Sequence, residues 1–462
     1  MRLLPQKAAA AIAAFLAIAA IPDLVPAFQN YKIVNWSRLG RVAEFTSKAT
    51  ATPLTEEMAR LRPGSALTTA NLYPLTDAGG ALDHFYASLS ATQDKKDGSI
   101  TRILHYGDSP TTADLITADM RSTLQEQFGN AGHGFTLIGK PWAWYSHRGL
   151  EIASSGWTVI PASQPAGAAS GGLFGLGGVS FRGSPGAYSS IALQDPSHDT
   201  VEVAYEYQPG GGIFEVFSAK RLLGQVDTSR RETLAGFSRF SLPPGSSRID
   251  IRVKSGSPLL FGAQFLKSQA GVIYSSLGVN GAYVALLSKM FQEDHWRQQL
   301  QHYQPDLVIV NYGTNESAYA SFVDQAYTRE MMEVIRRIRT AVPQASILVM
   351  SPMDRGQRAA NGEIATLPVL LRLVTMQQRV ALETGCGFFN TFQAMGGPGT
   401  MGRWYEAEPR LVSADFIHPM PPGAKLVGNL LYLALMDGYH RHNLRRHPQR
   451  IASVADGAIT LR

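Results

Sequence analysis

The chain has 462 residues, 45% of them hydrophobic and 17% charged, and a formal net charge of +6. This composition excludes a disordered or low-complexity polypeptide and leaves room for two or three domains. The single cysteine, Cys386, excludes an internal disulfide framework; lying in the apolar run 385–389, it reads as a small packed hydrophobe and not as a catalytic thiol. The basic balance comes without a nucleic-acid-binding signature, so DNA and RNA are not expected partners.

Arg2 and Lys7 precede an uncharged stretch over 8–21, and Val25-Pro26-Ala27 offers small residues for cleavage. Residues 1–27 therefore read as a signal peptide, with an uncleaved inner-membrane anchor as the alternative; both put the remainder in the periplasm or otherwise outside the cytoplasm. Residues 28–98 read as a connecting segment, with a helix expected over 81–89. A buried strand over 102–106 then runs into Gly107-Asp108-Ser109, and Pro110 is suited to the first helical position. Leu115, Ile116, Met120 and Leu124 follow at helical spacing, which predicts one helix with Ser109 at its N-terminus. There backbone N–H groups favour negative charge building beside the serine, so Ser109 is a candidate nucleophile; a plain helix cap is the competing reading.

Residues 150–268 lack helical periodicity and are rich in Gly, Ser and Pro, with short strand-like runs at 200–207, 213–218 and 248–253. This pattern predicts an inserted β-sandwich. Trp142, Trp144, Tyr145, Trp157 and Trp404 could offer stacking faces for a sugar, although large aromatics commonly belong to a core. From 269 onward, strands at 272–276, 307–312, 346–351 and 387–390 alternate with helical patterns, as a doubly wound parallel sheet requires. Met331, Val334, Ile335, Ile338 and Val342 mark one of those helices as core-facing. The predicted fold class is α/β: a three-layer α/β/α domain made from 99–149 and 269–440, interrupted by the sandwich over 150–268. A basic tail over 441–462 contains the cluster His440–His447, a candidate for anionic surfaces or simply a solvated end.

Two further strand ends, and a segment just ahead of the apolar helical run 424–436, carry polar residues. The run 305–312 ends in Gly313-Thr314-Asn315-Glu316, placing an amide side chain where it can donate to a developing oxyanion; helix capping is the other use of Asn315. Ser276-Leu277-Gly278-Val279-Asn280-Gly281-Ala282 offers a turn in which Gly281 presents its N–H where a side chain would obstruct. Asp415 stands three residues ahead of His418, a spacing that lets the carboxylate orient one ring nitrogen while the other faces a nucleophile. No His/Cys cluster has metal-ligand spacing, and no metal or cofactor is expected.

In chain order these blocks resemble those of the SGNH (GDSL) hydrolase superfamily, and the phrases HYGDSPTTAD, FGNAGHGF, LGVNGA, NYGTNES and AMGGPGTMGRW are most similar to bacterial peptidoglycan O-acetylesterases. The resemblance implies a flavodoxin-like fold with Ser109 as nucleophile, His418 as general base and Asp415 as its partner. It also implies an oxyanion hole of Ser109, Gly281 and Asn315, with Gly107, Asp108 and Gly313 as supporting motif residues. The implied substrate is an acetylated glycan polymer, with the insertion resembling a carbohydrate-binding module. The same residues would serve a polysaccharide O-acetyltransferase. A non-catalytic glycan-binding protein is the alternative from another class, and lipase or thioesterase chemistry is open to the same superfamily.

Overall fold

In the computed structural model, residues 73–96, 98–168 and 171–446 are described. The expected signal peptide or anchor over 1–27 lies outside them, as do most of the 28–98 segment and 447–462 of the tail. Among the described residues no helix is long and apolar enough to cross a membrane.

Five strands form the central sheet: β1 (Ile100–Gly107), β2 (Gly271–Gly278), β3 (Leu307–Asn311), β4 (Ser346–Met350) and β5 (Gly387–Phe389). Their spatial order is β2-β1-β3-β4-β5, every pair is parallel, and the order reverses at β1. The strands read as near-continuous apolar runs because both faces are covered. Alternate residues of each strand go to opposite cores: Ile103, Leu307, Ile309 and Leu348 to one face, and Leu104, Tyr106, Val308 and Val310 to the other.

Over the first face lie α1 (Asp83–Gln93), α2 (Leu115–Phe128) and α6 (Pro421–Arg446), which bury Phe85, Ile116, Met120 and Leu431. Over the second lie α3 (Glu293–Tyr303), α4 (Thr328–Ala341) and α5 (Pro368–Glu383). Of the predicted stripe, Met331, Val334, Ile335 and Ile338 are buried on α4, while Val342 lies just past its end and is half-buried; Cys386 is buried as a small hydrophobe. Each such large apolar side chain stabilises the fold by roughly 1.5–3 kcal/mol. The result is the three-layer α/β/α arrangement expected.

The insertion consists of two antiparallel sheets. One carries 234–241, 200–207, 259–266, 179–182 and 158–161 in that order, with Gly132–Thr136 also paired to Leu259–Leu266. The other carries 150–155, 188–193, 248–256, 212–218 and 221–227. Their inner faces meet, for example where Tyr205 packs on Phe214 with ring centroids 5.3 Å apart. This core is continuous with that of the second face of the α/β sheet. Across the junction Phe237 stacks on His302 at 3.5 Å, and beneath it, within the α/β layers, the Trp296 indole donates to the Tyr106 hydroxyl at 3.0 Å.

Three segment edges differ from the sequence reading. Sandwich pairing begins at Gly132, not 150, because the short 132–136 run completes an edge beside Leu259–Leu266. At the N-terminal side, Leu75 and Leu82 are buried and Thr76 exchanges two backbone hydrogen bonds with Phe388, so 75–96 is part of the α/β layers and not a connector. The end of the domain is not at 440. Helix α6 continues to Arg446, with His442 buried and bonded to Asp83 at 2.9 Å and Arg445 at 2.7 Å from the same carboxylate. The basic cluster up to Arg446 is thus a helix end tied to α1, as cations at a helix C-terminus favour.

Candidate active site

Because β1 lies between β2 and β3, three turns emerge side by side at one edge of the sheet. Gly107, the last residue of β1, stands opposite Gly278 at the end of β2 and Asn311 at the end of β3. Such C-terminal strand ends, at the point where strand order reverses, form the ligand crevice of open α/β folds. Ser109 follows β1, Gly281 follows β2, and Gly313 and Asn315 follow β3. The turn after Ser109 presses on β2 so closely that a Cβ at Gly278 would lie 2.0 Å from the Thr112 nitrogen, so only glycine fits there.

Asp415 and His418 arrive from a loop just ahead of α6. The Ser109 Oγ is 2.8 Å from His418 Nε2, and His418 Nδ1 is 2.6 Å from Asp415 Oδ2. The second carboxylate oxygen accepts the Ser413 hydroxyl at 2.5 Å and the backbone N–H groups of Ile417 and His418 at 2.9 and 3.0 Å. Burial acts to raise the Asp415 pKa, but these donors outweigh it and hold the carboxyl at about 2. It is ionised at any physiological pH and can support an imidazolium. The pair is accessible: side-chain exposure is 47% for His418 and 45% for Asp415.

Two expectations need correction. Ser109 does not head a long helix; it begins a single turn, Ser109–Thr112, and α2 starts separately at Leu115. Asp114 breaks the helix by adopting a left-handed backbone, φ +52°. Its carboxylate is bound to Arg121 at 2.6 and 3.1 Å, to the Thr117 hydroxyl at 2.7 Å and to the Arg148 N–H at 2.9 Å. Nor is a helix cap the role of the Ser109 hydroxyl, whose bond goes to His418.

The reason given for Gly281 also changes. An added Cβ would meet nothing within 4 Å; what favours glycine is the backbone, at φ +68°. Asn315 uses one amide N–H on the Ala282 carbonyl at 2.9 Å, tying the β3 turn to the Gly281 loop and leaving the amide's second N–H. Gly313, at φ +135°, opens that turn.

Sequence reasoning assigned no role to Glu316, although it follows Asn315 directly. Its side chain is fully buried, and Oε1 accepts the Val284 N–H at 2.6 Å. Burial pushes its pKa to about 8, so it is largely protonated at neutral pH. Asp108, also buried, is pushed by burial to about 6. Arg355, half-buried, donates to the Thr314 carbonyl at 2.6 Å and steadies the same turn; nothing in its local sequence signals this. Of the five candidate stacking aromatics, Trp142, Tyr145 and Trp404 are buried and Trp157 packs on the core, leaving Trp144 exposed at 53%.

The strand order and the Ser–His–Asp hydrogen-bond relay agree with the SGNH-type hydrolase domain that the motifs resemble. Residues 256–426 match the model of the GDSL-like Lipase/Acylhydrolase family. Among solved structures, a peptidoglycan O-acetylesterase is similar at a TM-score of 0.69 and 21% identity, over 79% of this chain and 99% of that one. The chain thus carries an SGNH (GDSL) acylhydrolase domain whose fold is similar to that of a peptidoglycan O-acetylesterase. A putative GDSL-like lipase from Parabacteroides merdae is similar at a TM-score of 0.27 and 16% identity, over 36% of this chain and 72% of that one. The C-terminal CBM6 of LamC from Zobellia galactanivorans is similar at 0.19 and 15%, over 26% and 99%. These last two likenesses are too partial to carry an argument. No protein of curated function matches the sequence.

Proposed function

We propose that this protein is an exported serine esterase that removes O-acetyl groups from a cell-wall glycan, peptidoglycan being the first candidate. The observation that carries this reading is the continuous relay from the Ser109 hydroxyl through His418 to Asp415, with links of 2.8 and 2.6 Å. His418 takes the Ser109 proton as the hydroxyl attacks the acetyl carbonyl, and Asp415 holds the ring tautomer and favours the imidazolium. The Ser109 and Gly281 N–H groups and the second N–H of Asn315 bind the tetrahedral oxyanion. Collapse releases the sugar hydroxyl, protonated by His418, and leaves acetyl-Ser109. Water then attacks this ester with His418 again as base, giving acetate and free enzyme. The peptidoglycan preference is supported by the fold likeness to a peptidoglycan O-acetylesterase. Export to the periplasm, or anchoring at the inner membrane, is proposed from the 1–27 pattern alone.

The test offers the purified protein O-acetylated peptidoglycan beside acetylated xylan and measures free acetate. Acetate release from peptidoglycan, lowered about 10⁴-fold or more by Ser109→Ala, is expected. Unchanged release by that variant overturns the triad. Transfer of acetyl to a glycan hydroxyl with negligible free acetate overturns the hydrolase reading in favour of a transferase.

A further inference from the structure

A second feature opens at the same sheet edge. A cavity of about 650 Å³ is lined by Gly281, by Tyr283, Tyr319 and Phe322, and by Gln164 from the insertion. Tyr319 is 55% exposed, although its ring lies 6.0 Å from that of Tyr283, which is in turn 6.3 Å from Phe322. An aromatic cluster left open to water beside a hydrolytic centre is a surface without its partner. An acetyl group is far too small to fill the space, so whatever occupies it belongs to the rest of the substrate or to a longer acyl chain.

The lining chooses between these. Sugar rings present an apolar C–H face and a hydroxyl edge; the tyrosines supply flat faces for the first and Gln164 an amide for the second. Leu286 and Met290 add apolar surface to the lining, but Ser163 and Ser321 join Gln164 as polar groups that a hydrocarbon chain would cover without pairing and that sugar hydroxyls can satisfy. Among the described residues Lys289 is the one charged group in the lining, and it is paired with Glu330 at 3.0 Å, so the occupant need not be charged. We propose that this cavity is a glycan subsite, in which Tyr319, backed by Tyr283, stacks on an uncharged sugar ring adjoining the acetylated one. The proposal rests on the esterase reading and adds to it a device for selecting polymer over small esters, because the stacking fixes the ester relative to Ser109.

The experiment compares wild type, Tyr319→Ala and Tyr319→Phe on O-acetylated peptidoglycan and on p-nitrophenyl acetate, butyrate and octanoate. Tyr319→Ala is expected to lower the ratio of kcat/KM on glycan to kcat/KM on p-nitrophenyl acetate by about ten-fold, and Tyr319→Phe to restore it to within about two-fold. An unmoved ratio in the alanine variant overturns the subsite. So does a selective loss on octanoate relative to acetate with the glycan ratio unmoved, which assigns the cavity to an acyl chain. Failure of the underlying reading is visible separately: wild type would hydrolyse p-nitrophenyl acetate yet release no acetate from any glycan.

Discussion

The two halves of the site are held in opposite ways. The acid–base half, His418 and Asp415, stands nearly half exposed on a loop, and its order comes from a dense set of local bonds in which one carboxylate accepts from Ser413, Ile417 and both Nδ1 and N–H of His418. The oxyanion half is anchored from beneath: Asn315 and Glu316, adjacent in sequence, hold the Ala282 carbonyl and the Val284 N–H, with the Glu316 carboxyl fully buried. Exposure suits a group that must exchange protons with substrate and water. Burial suits a loop whose task is to keep N–H groups still, since donors fixed before charge develops need no reorganisation as it forms.

The contrast breaks first at Asp415. If local bonding sets the His418 tautomer, Asp415→Asn should lower kcat on p-nitrophenyl acetate by about 10⁴-fold while leaving the fold intact, because the amide oxygen stays with the Ile417 and His418 N–H groups and the NH2 then faces Nδ1, which fixes the wrong tautomer. A loss under ten-fold would mean that the loop orders the ring without the carboxylate. Asn315→Ala touches the other half and should cost about 10²–10³ in kcat. Some of that loss belongs to the Ala282 tether; a variant with near-normal kcat would show that the second amide N–H does not face the oxyanion.

How much of this was legible in the sequence follows the same division. The triad was readable because strand ends and residue types announce it: an apolar run into Gly107-Asp108-Ser109, and Asp415 three residues before His418. The parallel sheet was readable because strands buried on both faces leave unbroken apolar runs such as 307–310. The break before α2 was not, since Leu115 to Leu124 keep helical spacing whether or not Asp114 turns left-handed; that turn depends on Arg121 and Arg148 closing around its carboxylate. Glu316 looked like an ordinary charged turn residue because its burial is set by the 282–284 loop, remote in sequence. The early start of the sandwich at Gly132 was hidden for the same reason, its partner strand lying more than a hundred residues away.

The smallest expected effect tests the buried anchor itself. The Glu316 carboxyl has an ordinary pKa of 4.5 and is raised to about 8 in the fold by burial. The folded protein therefore keeps a proton that the unfolded chain releases, so this group's contribution is fully present below about pH 4.5 and is lost as pH rises through about 8. The limiting slope is about 1.4 kcal/mol per pH unit between those values. Glu316→Gln has no such proton and can still accept the Val284 N–H, so it should show a roughly constant offset of about 1–3 kcal/mol from its less suited buried amide. Urea unfolding of both proteins from pH 5 to 8 should therefore show wild type falling relative to the variant by about 3–4 kcal/mol, so that the two curves converge and then cross. Asp108, raised to about 6 by burial, adds a slope of the same sign below pH 6, but it is present in both proteins and cancels in the difference. Parallel curves would mean that Glu316 is already ionised in the fold, and that the oxyanion loop is held by a buried charge and not by a neutral acid.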